Sequence, residues 1–65
     1  MLINAQKIYL HMAKKELTVA ALASIMGMSR QALSVIIRRG TCTPPTAARI
    51  ARGLGVEIEQ IVGEG

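Results

Sequence analysis

LTVAALASIMGMSRQALSVIIRR, running from Leu17 to Arg39, decides the fold. Val19, Leu22, Ala23 and Met26 follow the i, i+3, i+4, i+7 spacing that lines one face of a helix with apolar side chains. Gly27, Met28 and Ser29 interrupt that pattern, and a second helix follows with Leu33, Ile36 and Ile37 turned inward. A connection this short, with glycine at its first free position, crosses two helices sharply, because Gly27 can take the left-handed conformation that a side chain resists. Ala23, four residues earlier, is small where the helices must approach. Leu22, Met26, Met28, Leu33 and Ile36 supply the apolar contact between them.

Outward from this pair, the same local device marks each helix start. An apolar residue precedes a polar one, and a second apolar residue sits five positions after the first: Ile3 and Ile8 around Asn4, Leu17 and Leu22 around Thr18, Met28 and Leu33 around Ser29, Val56 and Ile61 around Glu57. In a hydrophobic staple the residue before the N-cap packs on the fourth helical residue, while the cap side chain accepts a free backbone N–H. Asn4, Thr18 and Ser29 are strong caps. Glu57 is a poor one, although Gln60 can complete a capping-box-like exchange with it. Ala5, Ile8, Tyr9 and Met12 form a further apolar stripe, as do Ala47, Ile50, Ala51 and Leu54. Five helices are therefore predicted, at about 4–15, 18–26, 29–39, 45–53 and 57–62. Pro44 and Pro45 suit the first turn of the fourth helix, and Gly40 and Gly55 suit the ends of the third and fourth. Tyr9 is the sole aromatic residue and β-branched residues do not alternate with polar ones, so a sheet has little to be built from. The expected fold is an all-α compact bundle forming a single domain over residues 1–65.

Sixty-five residues allow one core, which at this size buries only about 60% of the unfolded surface. Cys42 has no second cysteine to pair with, and no Cys/His spacing suits a structural metal. The chain is 51% apolar, yet Lys14, Lys15, Arg30, Arg38 and Arg39 interrupt every run before it reaches the roughly 18 residues of a membrane span. The first ten residues lack the pattern of a secretory signal, so a soluble cytoplasmic protein with a reduced thiol is expected. Eight Lys and Arg against four Glu give a net charge of +4, which favours an anionic partner.

The position of the charge narrows that choice. Gln31, Ser34, Val35 and Arg38 form one outward stripe on the third helix at i, i+3, i+4 and i+7, with Arg30 beside it. Arg can pair with guanine O6 and N7, Gln with adenine N6 and N7, Ser with either, and an apolar group with a thymine methyl. No Asp or Glu stands in this helix to repel phosphate. An αα-hairpin in an ordinary bundle would share the turn, but a merely solvated face more often mixes both signs and does not need an outward Val35.

The segment L-T-V-A-A-L-A-S-I-M-G-M-S-R-Q-A-L-S-V-I-I-R, Leu17 to Arg38, together with T-A-A-R-I-A-R-G-L-G-V, Thr46 to Val56, resembles the Cro and lambda-repressor-like helix-turn-helix family of bacterial and phage regulators. The resemblance covers about Asn4 to Val62, with a helix-turn-helix core at about 18–39. It implies that the helix from Ser29 to Arg39 enters the major groove of double-stranded DNA, with the helix from Thr18 to Met26 across its backbone. Carried over by position, it makes Arg30, Gln31, Ser34 and Val35 the base readers. Thr18 and Ser29 present hydroxyls and free N–H groups to phosphates, and Arg38, Arg39, Thr41 and Thr43 lie where the family touches the backbone. It also implies a homodimer on a two-fold operator and the activity of a transcriptional regulator, a repressor; residues 56–62 are the expected dimer contact. The chain departs from the family pattern at several places. Val19 stands where many members carry a phosphate-contacting Gln, Glu16 where Gly is common, and Met12 and Ile37 where some place an Arg and Glu pair. The third helix is one residue longer and the following loop about two shorter, which shifts Arg39, Thr41 and Thr43 against the pattern.

His11 and Cys42, the remaining candidates for nucleophilic chemistry, fall in different elements with no Asp anywhere to orient an imidazole, so no enzyme activity, cofactor or metal is expected. Gly53 and Gly55 lack the preceding strand of a phosphate loop. Met12, Met26 and Met28 read as core filler. Leu10 falls off the apolar face of its helix and, with Ile58, Ile61 or Val62, could join a partner surface. Two other readings use the same residues. The fold could serve an antitoxin, with a toxin as protein partner, or an excisionase-like accessory factor; or the chain could be a protein-interaction module with no DNA role.

Overall fold

A computed structural model describes residues 1–63; Glu64 and Gly65, the end of the expected domain span, lie outside the described residues. Four α-helices follow one another, α1 over Ala5–Lys14, α2 over Val19–Met26, α3 over Arg30–Arg39 and α4 over Pro44–Leu54, and a 3-10 turn covers Ile58–Gln60. The axes of α2 and α3 turn through 105° across the Gly27 connection, the sharp crossing expected of a short glycine turn.

Three of the expected caps are made. Asn4 Oδ1 accepts from the Lys7 amide (3.0 Å), Thr18 Oγ1 from the Ala21 amide (3.0 Å) and Ser29 Oγ from the Ala32 amide (3.1 Å). The helix ends use a matching economy. After α2, the Gly27 amide donates to the Ser24 carbonyl and the Met28 amide to the Ala23 carbonyl, with Gly27 at φ 71. These two bonds make a Schellman motif. The same pair closes α4 through Gly55 and Val56, and closes α1 through Glu16 and Leu17. In all three, the apolar residue that completes the ending helix, Leu17, Met28 or Val56, also precedes the next cap. One side chain therefore stops one helix and staples the next, which is why the connections are so short. Glu16 sits at φ 56, the left-handed region where Gly is at ease and a side chain is not.

The core comprises Ile3, Ile8, Met12, Leu22, Ala23, Met26, Leu33, Ile37, Ala47, Ile50, Ala51, Leu54 and Ile61, and it holds no polar side chain among the described residues. Met12 and Ile37, which replace a charged pair of the family pattern, are both inside it. At Gly53 α4 packs tightly on α2: a Cβ there would lie 2.8 Å from Leu22 Cδ1. Met28 and Ile36 are half-buried against this core. Tyr9 is not part of it. It stands 47% exposed, because Ile8 and Met12 are the α1 side chains that reach the interior, leaving the Tyr9 edge of the stripe in solvent. Leu10 is exposed, as its place off the stripe required.

Three further differences from the sequence expectation share a cause in long-range pairing or proline chemistry. The fifth helix is a single 3-10 turn, although the Gln60 side chain does accept from the Glu57 amide (2.9 Å). Beyond it the backbone turns to other partners: the Asn4 amide donates to the Ile61 carbonyl (2.8 Å) and the Gly63 amide to the Leu2 carbonyl (3.0 Å). On its other side the same N-terminal segment pairs with the loop after α3. Ile3 donates to the Gly40 carbonyl (2.9 Å), and Cys42 donates to the Met1 carbonyl (3.0 Å). Residues 1–3 thus bridge Thr41 and Val62 in antiparallel fashion, without a strand being formed among the described residues. Finally, α4 begins at Pro44 and ends at Leu54, one residue beyond the predicted span at each end. Cys42 and Ala47 flank its Thr43 cap at the staple spacing, an additional instance of that pattern.

Candidate nucleic-acid interface

With Leu33 and Ile37 fully buried, the rest of α3 has its direction set. Arg30, Gln31, Val35 and Arg38 are exposed and Ser34 is half-buried. These five residues line one shallow concavity along the outer face of the helix. A second concavity, between the start of α2 and α3, is lined by Thr18, Val19, Ala20, Arg30 and Ser34. Arg30 and Ser34 belong to both, so the two surfaces adjoin. The four expected base readers and Thr18 are brought together there.

Thr18 and Ser29 are exposed N-caps. Their oxygens accept one amide each, and their O–H groups remain able to donate outward. Each cap also leaves the first two amides of its helix without an intrahelical acceptor, those of Val19 and Ala20 on α2 and of Arg30 and Gln31 on α3. Neither first turn contains an acidic residue. The positive end of each helix therefore faces outward beside hydroxyl donors, an arrangement that suits an anion. Val19 and Ala20 were not among the expected contact residues. Their positions directly after a cap carried the signal, since the amides that matter there are independent of side-chain type.

Arg39, Thr41 and Thr43 sit elsewhere. They line a third concavity with Met1, Ile36, Cys42, Pro44 and Thr46, beyond the C-terminal end of α3. Arg38 belongs to the outer face of α3 and Arg39 to this end, so two adjacent arginines serve two surfaces. Thr43 Oγ1 lies 2.9 Å from Thr46 Oγ1 and caps no amide. Pro44 and Pro45 have no N–H to offer, so this region can present an anion with side chains but with few amides. Met1 enters the wall because its nitrogen donates to the Cys42 carbonyl (2.9 Å), a contact across the chain that no local pattern announces. Burial pushes the Cys42 thiol above its ordinary range, the opposite of what activates a thiolate nucleophile. No His, Cys, Asp or Glu cluster with the makings of a metal site exists among the described residues. No single helix there is long and apolar enough to cross a membrane.

A helix-turn-helix family model of the Cro/C1 type matches residues 8–61. The chain belongs to this family, whose members are DNA-binding regulators. Comparison with curated proteins and with solved structures gives no match.

Proposed function

We propose that this protein is a sequence-specific transcriptional repressor that reads double-stranded DNA in the major groove with α3. Arg30, Gln31, Ser34 and Val35 read base edges. Thr18, Ser29 and Arg38 hold the phosphates nearest them, and Arg39, Thr41 and Thr43 hold the backbone at the far end of α3. The observation that carries the reading is the outward strip of α3: two cations, an amide, a hydroxyl and one apolar group on a face with no acid. Direct readout uses this mixture, because Arg paired with guanine, Gln with adenine and an apolar group with a thymine methyl each discriminate bases, whereas phosphate contacts hold every sequence similarly. One recognition helix spans few base pairs. Two copies related by a two-fold axis read a longer, palindromic site with half-sites about 34–36 Å apart, and residues 56–62 form the dimer contact.

Selection of bound duplexes from a random pool, followed by footprinting, tests this reading. Recovery of one palindromic motif is the expected result. A pool that stays random after selection, with binding that disappears on adding salt, would leave only non-specific phosphate attraction.

A further inference from the structure

The charge of this chain is divided by position. All eight Lys and Arg lie within residues 1–54, opposed there by Glu16 alone, whereas Glu57, Glu59 and Glu64 are the only charged side chains after it. Further along the chain, a cleft of about 130 Å³ runs between the end of α2 and the second half of α4, lined by Ile25, Met26, Arg49, Arg52 and Gly53. The cleft shares no lining residue with the two concavities of the α3 face. At 59%, Ile25 is the most exposed large apolar side chain among the described residues. Arg49 is held at the rim by donating to the Met26 carbonyl at the end of α2. Arg52 stands one turn further along α4, exposed beside it. Gly53 completes the lining, where a Cβ would press on the buried Leu22 beneath it.

An apolar cleft edged by two guanidinium groups fits an apolar side chain flanked by carboxylates. This chain carries that sequence itself, as Glu57-Ile58-Glu59, with both carboxylates exposed and Ile58 half-buried. The turn packs against α4, the same helix that supplies Arg49 and Arg52. Donor and acceptor halves of the contact therefore share one helix, and a two-fold axis can satisfy both at once and close the assembly as a dimer rather than a filament. We propose that the Glu57–Gln60 turn of one copy docks on the Ile25, Arg49 and Arg52 cleft of a second copy. This rests on the dimer reading above and gives it a partner surface on α2 and α4. Apolar contact at Ile25 supplies adhesion, and the charges set orientation and reject other pairings.

Sedimentation equilibrium of the full chain tests it. The wild type is expected to dimerise, with a dissociation constant that rises as salt is added. Each single charge reversal, R52E or E59R, is expected to weaken dimerisation about tenfold or more, since the two-fold repeats every substitution. The double variant R52E/E59R is expected to recover to within about threefold of the wild type, because it restores opposite charges. Both positions are exposed, and matching circular dichroism melts confirm folding. Salt-independent dimerisation, single reversals without effect, or a double variant no better than the singles would each overturn the proposal, as would a wild type that stays monomeric at all concentrations. A monomer that still selects a single half-site would sink this contact and leave DNA reading intact. A dimer that behaves as described but selects no motif would do the reverse.

Discussion

The starts of α3 and α4 share a backbone and differ in chemistry. Ser29 caps α3 at φ −73, ψ 153, and Thr43 caps α4 at φ −73, ψ 154. Each is preceded by a half-buried apolar residue and followed four positions later by a fully buried one, Met28 with Leu33 and Cys42 with Ala47. Yet the Ser29 hydroxyl accepts an amide and leaves two more amides facing outward, whereas the Thr43 hydroxyl bonds another hydroxyl ahead of two prolines. The same local geometry thus produces one helix start that can hold an anion through its backbone and one that is rigid and poor in donors. Dihedral angles alone do not define a binding helix terminus; the number of N–H groups left over does.

Removing the staple from α3 is the most severe way to test this comparison. Leu33→Ala deletes a fully buried side chain at the crossing of α2 and α3 and is expected to cost about 2–5 kcal/mol in urea or thermal unfolding, enough to unfold much of so small a domain. No equivalent exists in α4, where Ala47 already has the smaller side chain. The next effect is on binding. Gln31→Ala is expected to cost about 1–3 kcal/mol at one base step, while Arg39→Ala weakens all sequences alike and lowers the salt slope by about 1. Titrations of matched and mismatched duplexes at several salt concentrations separate the two, and identical behaviour would erase the distinction between the two ends of α3. The caps themselves come third. Ser29→Ala is expected to lose about 1 kcal/mol of stability and Thr43→Ala only about 0.3 kcal/mol, because only the former frees an amide. Equal losses would mean that the Thr43 hydroxyl pair stabilises as much as a true cap. The smallest effect carries the comparison to helix ends, where Glu16 and Gly27 make the same Schellman bonds. Glu16→Gly relieves the left-handed strain and is expected to gain about 0.5–1 kcal/mol in thermal denaturation, after the cost of a more flexible unfolded chain is deducted.

What a local pattern encodes was legible in advance. Asn4, Thr18 and Ser29 cap because a short side-chain oxygen beside an apolar pair needs only its own helix to find its amide. The short Gly27 turn places α3 against α2 for the same reason, and burying Leu33 and Ile37 then dictates that Gln31, Val35 and Arg38 face out. Glu16 stood out only against the family resemblance, as a side chain where Gly is common.

The remainder depended on partners far away in sequence. Residues 1–4 look like a plain helix leader, but amides and carbonyls of theirs pair with Gly40, Cys42, Ile61 and Gly63, which only the folded chain brings alongside. That pairing draws the backbone after Gln60 out of helical bonding, limiting the predicted last helix to one 3-10 turn, and puts Met1 beside Thr41 and Thr43. Tyr9 has the spacing of a core residue and remains in solvent because no neighbouring element covers that edge of α1. Periodicity and caps report a residue's relation to its own helix; which edge is covered, and where unpaired backbone finds its acceptors, is settled by the packing of the whole chain.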